Sequence, residues 1–105
     1  MNTLRDLYCD TLENRILESD EINRYLNEVS GWEVKGESIY KKIELDTFAE
    51  ALEFVNAVAA VAESEGHHPD IHIQYSLVTL TLGSHELGAV SLFDFILAAK
   101  IDTLI

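Results

Sequence analysis

One cysteine, one proline, one tryptophan and seven basic residues are all that 105 positions hold of those types. Each scarcity excludes something. Cys9, being alone, cannot close an intramolecular disulfide, which fits a reducing, cytoplasmic setting. Seven Lys and Arg against 19 Asp and Glu leave a formal net charge of -12. Binding nucleic acid requires cations to neutralise phosphates, so the balance argues against nucleic acid, anionic membranes and phosphate-rich substrates. A neutral substrate is compatible with it. No apolar run approaches the roughly 18 residues of a membrane span. The opening MNTLRDLYCD has no basic region followed by an apolar stretch, so it does not read as a signal peptide. Pro/Gly-rich linkers and repeats are also missing. Together with a hydrophobic content of 48%, that predicts one domain with a single core.

Histidine is also scarce, but it is concentrated. Of four histidines, His67 and His68 are adjacent and precede Pro69, and His85 follows eighteen residues after His67. An unperturbed pKa of about 6.5 puts both protonation states of histidine within reach at neutral pH. Such a set suits proton transfer or a metal, or has no role at all.

The hydrophobic period places these residues. Ser19 reads as an N-cap, followed by Ile22, Leu26 and Val29 at helical spacing and by Gly31 as a stop. Residues 32–45 switch to alternation: Trp32 and Val34, a Lys35-Gly36-Glu37 turn, then Ile39, Lys41, Ile43 and Leu45 on one face, with Lys41 as an interruption. Thr47 and Glu50 form a capping box. Phe48, Ala51, Leu52, Val55, Ala59 and Ala62 then mark a helical face running to about Glu65, with Gly66 as C-cap and Pro69 barring continuation. Ile71, Ile73 and Tyr75, then Val78, Leu80 and Leu82, predict a second hairpin turning near Ser76-Leu77. Ser91 to Asp94 caps a last helix reaching about Leu104, apolar on two sides, and the second stripe predicts a subunit interface.

The expected fold is therefore α+β, in the order helix, hairpin, helix, hairpin, helix. A four-stranded antiparallel sheet carries about three helices on one face. Residues 1–18 read as an N-terminal extension, with a further amphipathic helix over 3–17 carrying Leu4, Leu7, Tyr8, Leu12 and Ile16. The domain proper spans 19–105.

His67 and His68 thus fall on a short junction between a helix and a strand. The second hairpin brings its far end, with His85, back beside them. Pro69 and the strand after it remove the helix that would set His68 and His72 on one metal-binding face. His72 should point away, to the solvent side. Ser84 beside His85 lacks a nucleophile-elbow motif and reads as a loop hydroxyl. Glu63, one helical turn before His67, either orients it or is solvated. Asp94 is a helix-capping carboxylate, a site residue, or both.

Glu63-x-x-x-His67-His68-Pro69, then Tyr75, His85 and Asp94 at intervals of five, nine and eight residues, resembles the signature of the pterin-4a-carbinolamine dehydratases. The stretches FVNAVAAVAESEGHHPDIHIQY and DFILAAKID are also similar to that family, and the likeness covers about Ser19 to Ile105. The resemblance implies the same α+β fold and a hydro-lyase. The reaction would be dehydration of 4a-hydroxytetrahydropterin, left by aromatic amino acid hydroxylases, to quinonoid dihydropterin in tetrahydrobiopterin recycling. It implies a catalytic set of His67, His68 and His85, with His67 and His85 as acid–base pair and His68 mainly holding the pterin. Glu63 would support His67, and Pro69, Ser84 and Asp94 would support or border the pocket. It implies no metal or redox cofactor, a possible hydroxylase partner, and a homodimer or homotetramer through the last helix. A non-catalytic interaction or dimerisation partner on the same fold is the alternative, and a metal-dependent hydrolase a third. The chain departs from the family pattern at Ile71, where tryptophan is usual in animal members, at Phe93, where a polar or basic residue is common, and in the loop Leu87–Val90.

Overall fold

The structure, a computed structural model, describes residues 3–84 and 87–105; His85 and Glu86 lie outside them. The first helix, α1, spans Ser19–Leu26. Its cap is Glu18 rather than the expected Ser19. The Glu18 backbone N–H donates to Glu21 Oε1 at 3.3 Å, and Arg15 pairs with the same carboxylate at 2.8 Å. The helix ends five residues before Gly31, on a turn in which Val29 still packs against the core.

Strands β1 (Glu33–Lys35) and β2 (Ser38–Glu44) form the first hairpin, turning at Gly36-Glu37. Helix α2 spans Phe48–Glu65, and the Thr47 hydroxyl accepts the Glu50 N–H at 3.1 Å, as the capping pattern predicts. Strands β3 (Asp70–Gln74) and β4 (Leu77–Gly83) form the second hairpin, and helix α3 spans Leu92–Asp102. The four strands make one antiparallel sheet in the order β1-β2-β4-β3. This is the predicted α+β architecture.

Register puts Ile39, Ile43, Val78, Leu80 and Leu82 on one face, buried beneath the helices. Tyr40, Lys42, Thr79 and Thr81 lie on the other, with His72 opposite Thr79 and exposed, facing away as expected. Lys41 falls on the buried face without leaving its charge unpaired. Its Nζ reaches Asp102 Oδ1 at 3.0 Å at the end of α3, where the Trp32 Nε1–H also donates, at 2.9 Å.

Three expectations change. Helix α2 buries Ala51, Phe54, Val58, Ala62 and Glu65, while Phe48, Leu52 and Ala59 are exposed. Apolar residues occur all around this helix, so period alone left its phase open, and the sheet selects the inner stripe. Residues 3–17 form two turns of 3-10 helix, Leu4–Asp6 and Cys9–Thr11, instead of one amphipathic helix. Their Leu4, Cys9 and Leu17 are core residues. This segment changes the reading of α3 as well. Leu92, Phe95, Ile96, Leu97, Ala98, Ala99 and Ile101 are all buried within the single chain, so most of the apolar surface of α3 is covered from within, while Phe93 is partly buried and Leu104 stays exposed. The N-terminal turns and Tyr25 of α1, whose ring centroid lies 5.7 Å from that of Phe95, provide the cover.

A buried ion pair fastens the N-terminal segment. Glu65, at the end of α2, accepts the Cys9 backbone N–H at 2.8 Å and lies 3.5 Å from Lys100 Nζ of α3. Lys100 in turn lies over the Tyr8 ring, 4.3 Å from its centroid.

Candidate active site

Gly66 aims the histidines. It takes the left-handed conformation at the end of α2 (φ +67), which glycine adopts without steric cost. The Gly66 and His67 N–H groups both donate to Ala62 O, at 2.9 and 3.3 Å. The chain therefore leaves the helix axis at His67, and His67-His68-Pro69 bridges to β3. At the far end of the hairpin, Gly83 lies opposite Ser38. A Cβ there would stand 2.6 Å from Ser38 Oγ and 3.2 Å from Glu37 O, so a side chain at this position would force Ser38 to turn away where β4 runs beside β2 just before Ser84.

Asp94 meets the histidines from α3. It is fully buried and acts as both cap and site residue. Its Oδ2 accepts the Ser91 N–H (2.9 Å), the Ser91 hydroxyl (3.2 Å) and the Ser84 hydroxyl (3.3 Å). Its Oδ1 is 2.7 Å from His67 Nε2. The Ser84 and Ser91 hydroxyls also hydrogen-bond each other. The carboxylate thus holds one oxygen among the Ser91 N–H and two hydroxyls that share their hydrogens between it and each other, and offers the other oxygen to the imidazole. His67 is largely enclosed, its side chain 15% exposed, and its ring meets Phe93 edge-on with centroids 5.8 Å apart.

These groups border a cleft of about 410 Å³ lined by Asn14, His67, His68, Ser84, Leu87 and Phe93, among others. The volume suits a small organic molecule. Clefts of about 450, 390 and 460 Å³ lie elsewhere, so size does not single this one out; the histidines do. Among the described residues no three His, Cys, Asp or Glu side chains converge as a metal centre requires.

The structure brings His67, His68, Ser84 and Asp94 together at one cleft. Ser84 proves to be a buried hydrogen-bonding hydroxyl. Glu63 is placed differently. Its Oε1 lies 3.5 Å from His68 Nε2, both side chains more than half exposed, and its expected contact with His67 is not made. Pro69 shapes the junction but is not among the residues lining the cleft. Tyr75, part of the spaced signature, is 71% exposed at the tip of the β3–β4 hairpin, about 16 Å of strand away from the histidines. The expectation for His85 falls outside the described residues. Sequence reading missed Asn14 and the second role of Ser91. The cap pattern signals Ser91, whereas no local pattern marks Asn14.

The family model described as pterin 4 alpha carbinolamine dehydratase matches residues 15–104. Relatives from Roseiflexus castenholzii and Alkaliphilus metalliredigens carry the provisional name pterin-4-alpha-carbinolamine dehydratase. The first is 43% identical over 86% of this chain and 97% of its own, the second 36% identical over 97% and 96%. A solved structure described as a transcriptional coactivator/pterin dehydratase from Brucella melitensis matches with a TM-score of 0.81 and 30% identity, over 86% of this chain and 98% of its own. A pterin dehydratase-like protein described as a RuBisCO assembly factor in the alpha-carboxysome matches with a TM-score of 0.57 and 28% identity, over 70% and 84%. With the family's model matched over residues 15–104, this chain belongs to the pterin 4 alpha carbinolamine dehydratase family.

Proposed function

We propose that this chain dehydrates 4a-hydroxytetrahydropterin to quinonoid dihydropterin, as a 4a-hydroxytetrahydrobiopterin dehydratase serving tetrahydropterin recycling. The observation that carries the reading is the His67–Asp94 contact of 2.7 Å at the wall of a cleft shared with His68. In the reaction the C4a–O bond breaks, and the departing hydroxyl takes a proton and leaves as water. N5 loses its proton, and that electron pair forms the N5=C4a double bond. The chemistry requires one acid and one base, both within reach of a bound pterin. Asp94 Oδ1 accepts the Nε2 proton of His67, which fixes the tautomer and leaves Nδ1 for exchange with substrate. His85 is assigned the complementary proton transfer on the strength of the family pattern. The more exposed His68 is assigned to holding the pterin. No metal or redox cofactor enters these steps. An aromatic amino acid hydroxylase is the natural source of the carbinolamine, and the cytoplasm the natural setting for a chain with one unpaired cysteine.

A binding role without catalysis is the second reading, favoured by the descriptions of two solved relatives as a coactivator and as an assembly factor. A homodimer or homotetramer fits either reading, with Phe48 and Leu52 on α2 as exposed apolar candidates for contact. The test follows quinonoid dihydropterin formation from synthetic carbinolamine. Wild type should accelerate it over buffer, and His67→Ala should lose about 10²–10⁴-fold of that acceleration. If wild type gives no acceleration, dehydration is rejected and the binding role takes its place.

A further inference from the structure

Asn14, the residue just before the family match, lines one side of the cleft. Residues 15–17 pair with 90–92: Leu17 N–H donates to Val90 O at 3.2 Å, and Leu92 N–H to Arg15 O at 3.0 Å. Asn14 stands at the head of this pairing, one position outside the span 15–104, and it lines the cleft. Its Oδ1 accepts two backbone N–H groups, from Phe93 at 3.0 Å and Arg15 at 3.1 Å. Those two donors settle which way the amide faces, so its NH₂ points to Ser84 Oγ, 3.4 Å away.

We propose that Asn14 is a positioning residue of this site, heading a directed hydrogen-bond chain through Ser84 and Asp94 to His67. The inference rests on the dehydratase reading. The Ser84 hydroxyl has one hydrogen and neighbours that compete for it, Ser91 Oγ and Asp94 Oδ2. A donor from Asn14 occupies an Oγ lone pair and turns that hydrogen toward the Ser91–Asp94 side. Asp94 Oδ2 then stays fully engaged, and Oδ1 is left to hold His67. The Phe93 N–H bond does a second job: it holds the first turn of α3, which carries Asp94, and the Phe93 ring that borders His67.

Asn14→Asp separates the two jobs. It retains an oxygen for the Phe93 and Arg15 N–H groups and replaces the N–H donor toward Ser84 with an acceptor, which draws the Ser84 hydrogen away from the Ser91–Asp94 side. Steady-state kinetics on the carbinolamine should show kcat falling on the order of 10-fold with KM within about twofold, as for other outer hydrogen-bonding partners. Thermal unfolding should stay near wild type. The double variant with Ser84→Ala should be no slower than Ser84→Ala alone, because both act through one chain. If Asn14→Asp folds poorly, Asn14→Ala, which removes both jobs, is measured with and without Ser84→Ala: its kcat effect should vanish in the Ser84→Ala background while its stability loss remains. A wild-type kcat, or losses that multiply in the double variant, overturns the proposal. Should wild type not accelerate the reaction at all, the dehydratase reading fails by itself, and the chain is judged on the imidazole nitrogen resonances of ¹⁵N-labelled His67. Asn14→Asp should shift them, and unmoved resonances reject the relay.

Discussion

His67 and Asp94 are 27 residues apart in sequence and 2.7 Å apart in space. The contact joins the end of one helix to the first turn of another, and the buried member is the carboxylate. Asp94→Asn tests it. The remaining oxygen would be claimed by the Ser91 N–H and the hydroxyls now around Oδ2, turning NH₂ toward His67 Nε2. The imidazole would then carry its proton on the opposite nitrogen. A kcat loss of roughly 10²-fold or more is expected, with a stability change of only about 1 kcal/mol because an asparagine oxygen still caps α3. A wild-type kcat in this variant would remove Asp94 from the mechanism.

Glu63 is exposed and paired loosely with His68, and such pairs contribute little. Glu63→Gln should leave kcat and KM within about twofold of wild type, since an exposed pair of this kind contributes at most about 1 kcal/mol. A tenfold fall in kcat would reinstate Glu63 as the support of His67 that the spacing suggested.

Glu65 depends on Lys100. Its side chain is 4% exposed, so removing the ammonium leaves a buried carboxylate with the Cys9 N–H as its hydrogen-bond donor. Lys100→Met should lower stability in urea by about 3 kcal/mol, and Glu65→Gln added to it should recover part of the loss. Equal stability of Lys100→Met and wild type would mean that solvent reaches the pair.

Burial, reinforced by the Glu65 carboxylate, pushes the Cys9 thiol up to about 12. Native Cys9 should therefore react with a disulfide reagent at pH 8 about 10³-fold more slowly than the urea-unfolded chain, whose thiol ionises near 8.5. The sign for stability follows. Above about 8.5 the unfolded chain releases a proton that the native chain keeps, so this group's contribution falls as pH rises toward 12. Cys9→Ala should remove that part of the decline, seen as a shallower loss of unfolding midpoint between pH 8 and 10.

Tyr75 holds a left-handed φ of 56° in the two-residue turn between β3 and β4. A side chain in that conformation costs about 1 kcal/mol. Tyr75→Gly should raise or hold the melting temperature and leave kcat unchanged, because the turn is remote from the cleft. A fall in kcat would show that this signature position reaches the site by a route other than contact.

Much of this was legible beforehand, for identifiable reasons. Thr47, Gly66 and Pro69 act within a few residues, so the end of α2 and the exit of His67-His68 could be read directly. The hairpin phases placed His72 outward. The Ser91 cap pattern located Asp94. Glu63 failed because spacing of four brings side chains together only while the helix continues, and α2 stops at Glu65. Past that point the left-handed Gly66 swings His67 toward α3 and brings His68 near Glu63. Asn14 had no local signal: its partners lie about 70 residues or more away in sequence, at Ser84 and Phe93.

The sequence by itself determined the order and type of the elements from residue 19 onward, the α+β class and the family. These depend on period, caps and turns, interactions that a few neighbouring residues complete. Only the tertiary structure decided which stripe of α2 faces the sheet, that most of the apolar surface of α3 is covered within the chain, and that His67 pairs with Asp94 while Glu63 goes to His68. Apolar residues on several sides of a helix are degenerate until something packs against them. A buried carboxylate finds its partner only when the two helix ends that carry the pair are brought together.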